Sequence, residues 1–427
     1  MKPNILFIMC DSLAPHFTGP YGDPTGATPN LNGLAARGIV FENAYCTYPL
    51  CAPSRASLMT GRYASEIGCF DNGSPFAAEW PTLGHALGAV GYETAIIGKM
   101  HFVGHDQLHG FDRRIALETD YSKGHNPRLY GLAYDWSQPS GGNPDGPYMM
   151  GASYVASEAW QNHRLHFDRD EVIHAAALDY LAEGRAKPFF ACVSFHAPHN
   201  PFWSPEMYRD RFRDRPLPLP SVLEGTETVH GPMGRWLNDF HYLPEVREQL
   251  LTPDNLSWLY ESFYGMLCDL DMRVGELLAA LGRSGLENTA VVFASDHCDM
   301  MGHRGMVQKR YFYERSARVP LLFSFPGSWQ QGARRTGPVS LLDLFPTLTE
   351  LTGAPRPDDL PGRSLLPELA AEPRRQRGTG AADGLRGVPR RRGPRPLLYG
   401  AARAVQIPLR PQTRRAALRH FGRPRRA

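Results

Sequence analysis

The chain has 427 residues, 42% of them hydrophobic and 21% charged, and a formal net charge of +3. This is the make-up of a globular protein with room for one large domain and a smaller one. No apolar run is long enough to span a membrane, and seven scattered cysteines without a CxxC pair argue against a disulfide framework or a zinc knuckle.

In chain order, residues 1–9 are apolar enough to pass for a short signal peptide. The stretch is brief, lacks a small-residue cleavage site and ends at Asp11. It reads as a buried first strand over residues 4–9, and the expected location is cytoplasmic. Further strand-like runs cover residues 94–98, 189–195 and 290–295, each short and apolar, as strands buried on both faces are. Helical patterns fall at residues 30–37, 55–60, 82–90, 168–183, 256–281 and 341–351. This alternation predicts an α/β fold, a mostly parallel central sheet with helices on both faces. Residues 120–163 are rich in Gly, Pro, Tyr and Asn with little periodicity, which predicts a long surface insertion near the substrate.

Composition changes near residue 372. Residues 373–427 carry 16 Arg, no Lys and one acid, Asp383, leaving 30 basic against 42 acidic residues in the rest. The chain therefore divides into an acidic catalytic body, 1–370, and a strongly basic tail, 371–427. Such a tail reads as an arm for nucleic acid, as a disordered extension, or as the product of a slipped reading frame. The last is preferred. One permitted back-translation of residues 403–427, advanced by one base, gives strand-like alternation, a turn and an acidic end. On that reading the C-terminal subdomain is missing or garbled, and no nucleic acid is expected as a partner.

Chemically active residues gather where the apolar runs end. Met9-Cys10-Asp11-Ser12-Leu13 closes the first run and Gly98-Lys99-Met100-His101 the second. His196-Ala197-Pro198-His199-Asn200-Pro201 closes the third and Ser295-Asp296-His297 the fourth. Open α/β sheets place their active sites at the carboxyl ends of strands. Singly, each group has a plain explanation: Asp11 as a helix cap, His199 as a hydrogen-bonded core histidine, Lys99 as a solvated strand end. Cys51 alone would be a buried thiol. Beside the run Leu50-Cys51-Ala52-Pro53-Ser54-Arg55 and its continuation to Thr60-Gly61-Arg62, they point to one site.

The pattern C-x-P-x-R, followed by a helix and Thr-Gly-Arg, resembles the signature of the sulfatases, in which a modifying enzyme oxidises the Cys to formylglycine. The chemistry favours that exchange. A thiosulfate ester has no easy route to breakdown, whereas an aldehyde hydrate offers one hydroxyl to attack sulfur and a second to expel sulfate. The resemblance, to the sulfatase branch of the alkaline-phosphatase superfamily, covers residues 3 to 370. It includes Thr28-Pro29-Asn30-Leu31, Phe41-Glu42-Asn43-Ala44-Tyr45 and Asp343-Leu344-Phe345-Pro346-Thr347-Leu348. Within it, residues 98–104, Asp106-Gln107-Leu108-His109-Gly110-Phe111, Asp71-Asn72 and residues 316–321 resemble the choline sulfatases.

What the resemblance implies is specific. One divalent cation, Ca²⁺ or Mn²⁺, is held by Asp11, Asp296, His297 and the formylglycine made from Cys51. Arg55 holds the aldehyde hydrate. Lys99, His199 and Lys309 clamp the sulfate oxygens, with His199 or Lys309 assisting the departing alcohol oxygen. His101 acts as base on the second hydroxyl, and Asn72 contacts the substrate. Three positions depart from the family. Ser12 stands where many sulfatases have a second acid, as in choline sulfatases. Cys298 takes the place of a usual Gly, and Arg315 stands where choline sulfatases tend to carry Gly. The implied reaction is hydrolysis of a sulfate monoester, choline O-sulfate foremost. Trp136, Trp160, Tyr134 and Tyr148 are candidate faces for its quaternary ammonium. Alternatives are a phosphonate monoester or phosphodiester hydrolase, an inactive truncated homologue, and a basic-tailed binding protein. The expected partners are a small-molecule sulfate ester and a formylglycine-generating enzyme. No membrane is expected, and a homo-oligomer is expected if the C-terminal part is intact.

Overall fold

A computed structural model of the chain describes residues 2–116, 165–220, 252–325, 327 and 329–370. The insertion at 120–163, with Trp136, Trp160, Tyr134 and Tyr148, and the tail 371–427 lie outside the described residues.

The chain opens with β1 (Asn4–Cys10), then α1 (Pro29–Ala36), β2 (Ile39–Tyr45), α2 (Cys51–Thr60) and α3 (Leu83–Gly88). Next come β3 (Glu93–Gly98), β4 (Arg113–Ile115), α4 (Leu165–Ala182), β5 (Phe189–Ser194) and α5 (Glu206–Arg209). The long helix α6 (Pro253–Arg283) leads into β6 (Thr289–Ser295). After it follow α7 (Glu314–Ala317), β7 (Arg318–Val319), β8 (Leu321–Ser324), β9 (Ala333–Ser340), α8 (Leu344–Thr352) and α9 (Leu366–Ala370).

One nine-stranded sheet runs β4-β3-β5-β1-β6-β8-β2-β7, with β9 paired to β2. Strands β4, β3, β5, β1 and β6 are all parallel. Here β1 lies at the centre, with Ile8 opposite Val193 on one side and Phe293 on the other. Beyond β6 the sheet turns antiparallel through β8, β2 and β7. The four strands expected from apolar runs are the buried parallel core. Ile5, Leu6, Phe7, Ile8 and Met9 are fully buried, each contributing about 1.5–3 kcal/mol by leaving water. The strands missed by pattern reading are β4, with three half-buried residues, and those beyond β6, where β9 is buried only at Ala333 and Val339.

Helix ends follow local chemistry. Thr252 caps α6 by accepting from Asn255 N, and Pro253 sits at its first position, so the helix begins before the expected residue 256. The expected helix over 341–351 is a 3-10 turn, Leu341–Asp343, running into α8. Asp271 of α6 accepts from Asn30 N, Leu31 N and Asn30 Nδ2. The Thr28–Leu31 sequence thus docks α1 on α6. Among the described residues, no helix is long and apolar enough to cross a membrane. All seven cysteines are buried and unpaired.

Candidate active site

The parallel strands β3, β5, β1 and β6 deliver Lys99, His199, Asp11 and Asp296 to one edge of the sheet. Their register makes this unavoidable: Gly98 pairs with Ser194, Met9 with Ser194, and Cys10 with Ser295. Helix α2 brings Cys51 to that edge.

Every residue of α2 is buried, and Cys51 is its first residue rather than the expected start at 55. Leu50 is extended and offers no side-chain cap. Asn72 fills that role, its Oδ1 accepting from Ala52 N at 3.0 Å. Ser54 Oγ donates to Asp296 O at 2.6 Å, tying the helix to the end of β6. The helix stops at Gly61, whose φ of +69° suits glycine. A Cβ there would stand 2.9 Å from Phe345 Cβ.

Asp11, Cys51, Asp296 and His297 offer ligand atoms that all lie within 4.8 Å of one another, and all four are buried. Cys51 Sγ is 3.2 Å from His297 Nε2 and 3.9 Å from Asp11 Oδ1. This sulfur marks the place that an oxygen of formylglycine would take if Cys51 were oxidised. Two carboxylates, an imidazole and that oxygen form a donor set suited to a hard divalent cation. Electrostatics agree. Burial raises the Asp296 carboxyl to about 6, against the pull of Arg55 and with a push from Asp11. Burial would raise Asp11 too, but Lys99, His199, His297 and Lys309 hold it well below the usual carboxylate range. Cys51 is pushed up by burial and Asp11, yet Lys309, Lys99 and His297 outweigh them and hold the thiol well below its ordinary value.

Arg55, expected to hold the aldehyde hydrate, lies among the ligand carboxylates. Its Nε donates to Asp296 Oδ2 at 2.8 Å and its Nη2 to Asp11 Oδ2 at 3.0 Å. Nη1 donates to Lys99 O at 2.6 Å and Ser194 Oγ at 2.8 Å. The guanidinium therefore fastens four strand ends together behind the ligand atoms. Lys99 Nζ is 2.8 Å from Asp11 Oδ2. Ser12 has φ +71° and donates its hydroxyl to Asp11 Oδ1 at 2.7 Å, so the position of the absent second acid serves to orient the first. His101 is buried two residues beyond Lys99 with φ +55°.

Lys309 and His199 are in contact through Nζ and Nε2. His199 Nδ1 faces Asn200 O. Burial and Lys309 lower His199 to about 4. Two acids that pattern reading did not single out hold these groups. Asp170, fully buried on α4, accepts from His196 N at 2.8 Å, His196 Nδ1 at 3.0 Å and Ala197 N at 2.8 Å. Asp299 accepts from Met301 N at 2.9 Å and Gln308 N at 3.0 Å. Arg310 N donates to Pro49 O at 2.9 Å, which brings the Lys309 loop against the segment before Cys51. Asp299 lies three residues past Asp296, a spacing that was the available signal; Asp170 looks like any helix-surface acid.

The stretch Asp106–Phe111 buttresses the Lys99–His101 loop. Gln107 Nε2 donates to Phe102 O and Gly104 O, both at 2.8 Å. His109 stacks on Phe76 with centroids 3.9 Å apart.

Known proteins resemble this chain in sequence and in fold. The profile of the family described as Sulfatase matches residues 3–354. Choline-sulfatase of Rhizobium meliloti (strain 1021) is 34% identical over 374 residues, covering 86% of this chain and 71% of that protein. Arylsulfatase of Clostridium perfringens (strain 13 / Type A) is 30% identical over 406 residues, covering 86% and 78%. Among solved structures, the phosphonate monoester hydrolase of Agrobacterium radiobacter superposes with a TM-score of 0.68 at 26% identity, covering 87% of this chain and 78% of that one.

Proposed function

The chain belongs to the sulfatase family, and from that premise we propose that it hydrolyses a sulfate monoester, with choline O-sulfate as its substrate. The observation that carries the reading is the buried set Asp11, Cys51, Asp296 and His297, flanked by Lys99, Lys309 and His199. A divalent cation held by that set supplies Lewis-acid polarisation of the sulfate, and oxidation of Cys51 to formylglycine supplies a pair of hydroxyls.

The chain's own residues do the rest. Arg55 keeps both carboxylates aimed at the ligand centre. Lys99 and Lys309 present ammonium groups to the sulfate oxygens, where negative charge must be held as the ester bond breaks. The contact of His199 Nδ1 with a carbonyl oxygen places the proton of the neutral ring there. Its Nε2 then accepts from Lys309. Lys309 is therefore the group that gives a proton to the departing alcohol oxygen, and His199 aims it. His101 is the base for release of sulfate from the second hydroxyl. Asn72 fixes the start of α2 through its Oδ1, beside its expected contact with the substrate.

A second reading, phosphonate monoester hydrolysis, is favoured by the likeness to the Agrobacterium radiobacter enzyme. Parallel assays of choline O-sulfate, an aryl sulfate and a phosphonate monoester separate the two. Mass spectrometry of the peptide spanning Cys51 tests the nucleophile: a formylglycine-containing peptide, lighter than the cysteine form, is expected. Active enzyme carrying only unmodified cysteine would refute the mechanism.

A further inference from the structure

One group of side chains outside the catalytic assembly is electrostatically unbalanced. A 3-10 turn, Pro15–Phe17, carries His16, and a second, His303–Gly305, carries His303 and Arg304. Helix α7 carries Arg315. The first two turns follow β1 and β6, so the group gathers on the same edge of the sheet as the catalytic residues. Arg315 Nη1 touches His16 Nε2, and Arg304 lies 5.0 Å from the Tyr313 ring centroid. All four side chains are half-buried.

Among the described residues no carboxylate comes within ion-pair distance of Arg304 or Arg315. The nearby acid Glu314 is engaged by Tyr45 Oη. A guanidinium has five N–H donors, and His16 Nε2 is the one acceptor that Arg315 meets among the described residues. Burial, Arg315 and His303 drive His16 down to about 2, and burial, Arg315 and Arg304 lower His303. Among the described residues, two guanidinium groups thus sit partly out of water without a carboxylate partner, next to imidazoles whose protonation burial and the same charges disfavour. Planar guanidinium forks in such a setting match the oxygens of sulfate or phosphate.

We propose that His16, His303, Arg304 and Arg315 form a second oxyanion site that binds a sulfate or phosphate group beside the catalytic pocket. The oxyanion would complete the donor set: two N–H groups from Arg315, a fork from Arg304 and ring N–H groups from the two imidazoles. Its source is a free inorganic anion, such as the sulfate that hydrolysis releases; a second anionic group on an ester other than choline O-sulfate is the alternative source.

The test is calorimetric titration of inorganic sulfate into the full-length protein carrying Lys309→Ala, which weakens anion binding in the catalytic pocket. That protein is expected to bind one sulfate, and adding Arg315→Gly is expected to weaken it tenfold or more. Arg304→Gln, at the other side of the cluster, is expected to weaken it severalfold and serves if the glycine variant fails to fold. Sulfate affinity that is unchanged in both folded variants, or no sulfate binding in the Lys309→Ala protein, overturns the site. These measurements do not depend on the sulfatase reading. The source is then read from turnover in the Lys309-intact protein. A KM raised tenfold by Arg315→Gly for a disulfated ester alone assigns the anion to the substrate. Unchanged KM values for mono- and disulfated esters assign it to free anion.

Discussion

Replacing Asp170 by Ala removes one buried carboxylate and strands three donors: His196 N, His196 Nδ1 and Ala197 N. Each buried group left without a partner costs about 1–3 kcal/mol. The three share one acceptor and are not additive, so the loss is expected at about 3–5 kcal/mol, the range for breaking a buried charged network. Asp170→Asn keeps a carbonyl acceptor and should lose about half as much. Function should suffer as well. His199 N bonds back to His196 O at 2.9 Å, so slack at His196 reaches His199, and a misplacement of about 1 Å costs on the order of 100-fold in rate. Urea unfolding and kcat/KM on an aryl sulfate measure the two effects. A double-mutant cycle with His199→Ala isolates the route, because Asp170→Ala should add little to kcat/KM once His199 is gone. Stability within about 1 kcal/mol of the parent, or a full kinetic loss that persists without His199, would refute the positioning role.

Lys309→Ala should lower kcat by roughly 100- to 1,000-fold, the cost of losing one preorganised charge at the reacting group, with an alcohol of low pKa as leaving group suffering least. His109 is lowered to about 4, by burial first; its folded pKa lies below the ordinary 6.5, so its contribution is intact above pH 6.5 and is lost as pH falls toward 4. At ~1.36 kcal/mol per unit this amounts to about 3 kcal/mol, and urea midpoints for His109→Gln should fall less steeply with acid than those of the parent. Gly61→Ala should destabilise by about 1–3 kcal/mol, since it meets both a positive φ and the Phe345 side chain. Chelation should abolish turnover and lower the thermal midpoint, and a divalent cation at 100 times its Kd should restore about 2.7 kcal/mol. Asp296→Asn should show neither response.

The central strands were legible because burial on both faces leaves uninterrupted apolar runs, as in Phe189–Ser194 and Thr289–Ser295. Those same runs ended at the residues that converge on Cys51, so the place of the site was legible in the strand ends, while the ligand set followed from the resemblance to sulfatases. The half of the sheet beyond β6 was hidden. In β9, Arg334, Arg335, Thr336, Gly337 and Pro338 give no apolar alternation, and its place is fixed by pairing with β2. Contact roles were also out of reach. Nothing in the spacing shows that Arg55 grips two carboxylates. The same holds for Asn72, whose partner is a backbone N–H twenty positions earlier. Asp106–Phe111, conspicuous as a motif, proves to be the brace of a loop.

Helix α2 has no exposed residue, and Cys51 is 1% exposed at its start. Any enzyme that oxidises this thiol must therefore meet it on the nascent or unfolded chain. Expression in a host without such an activity would yield a folded product that later treatment with the modifying enzyme could not convert. Co-production during synthesis is the practical route to full occupancy of the aldehyde.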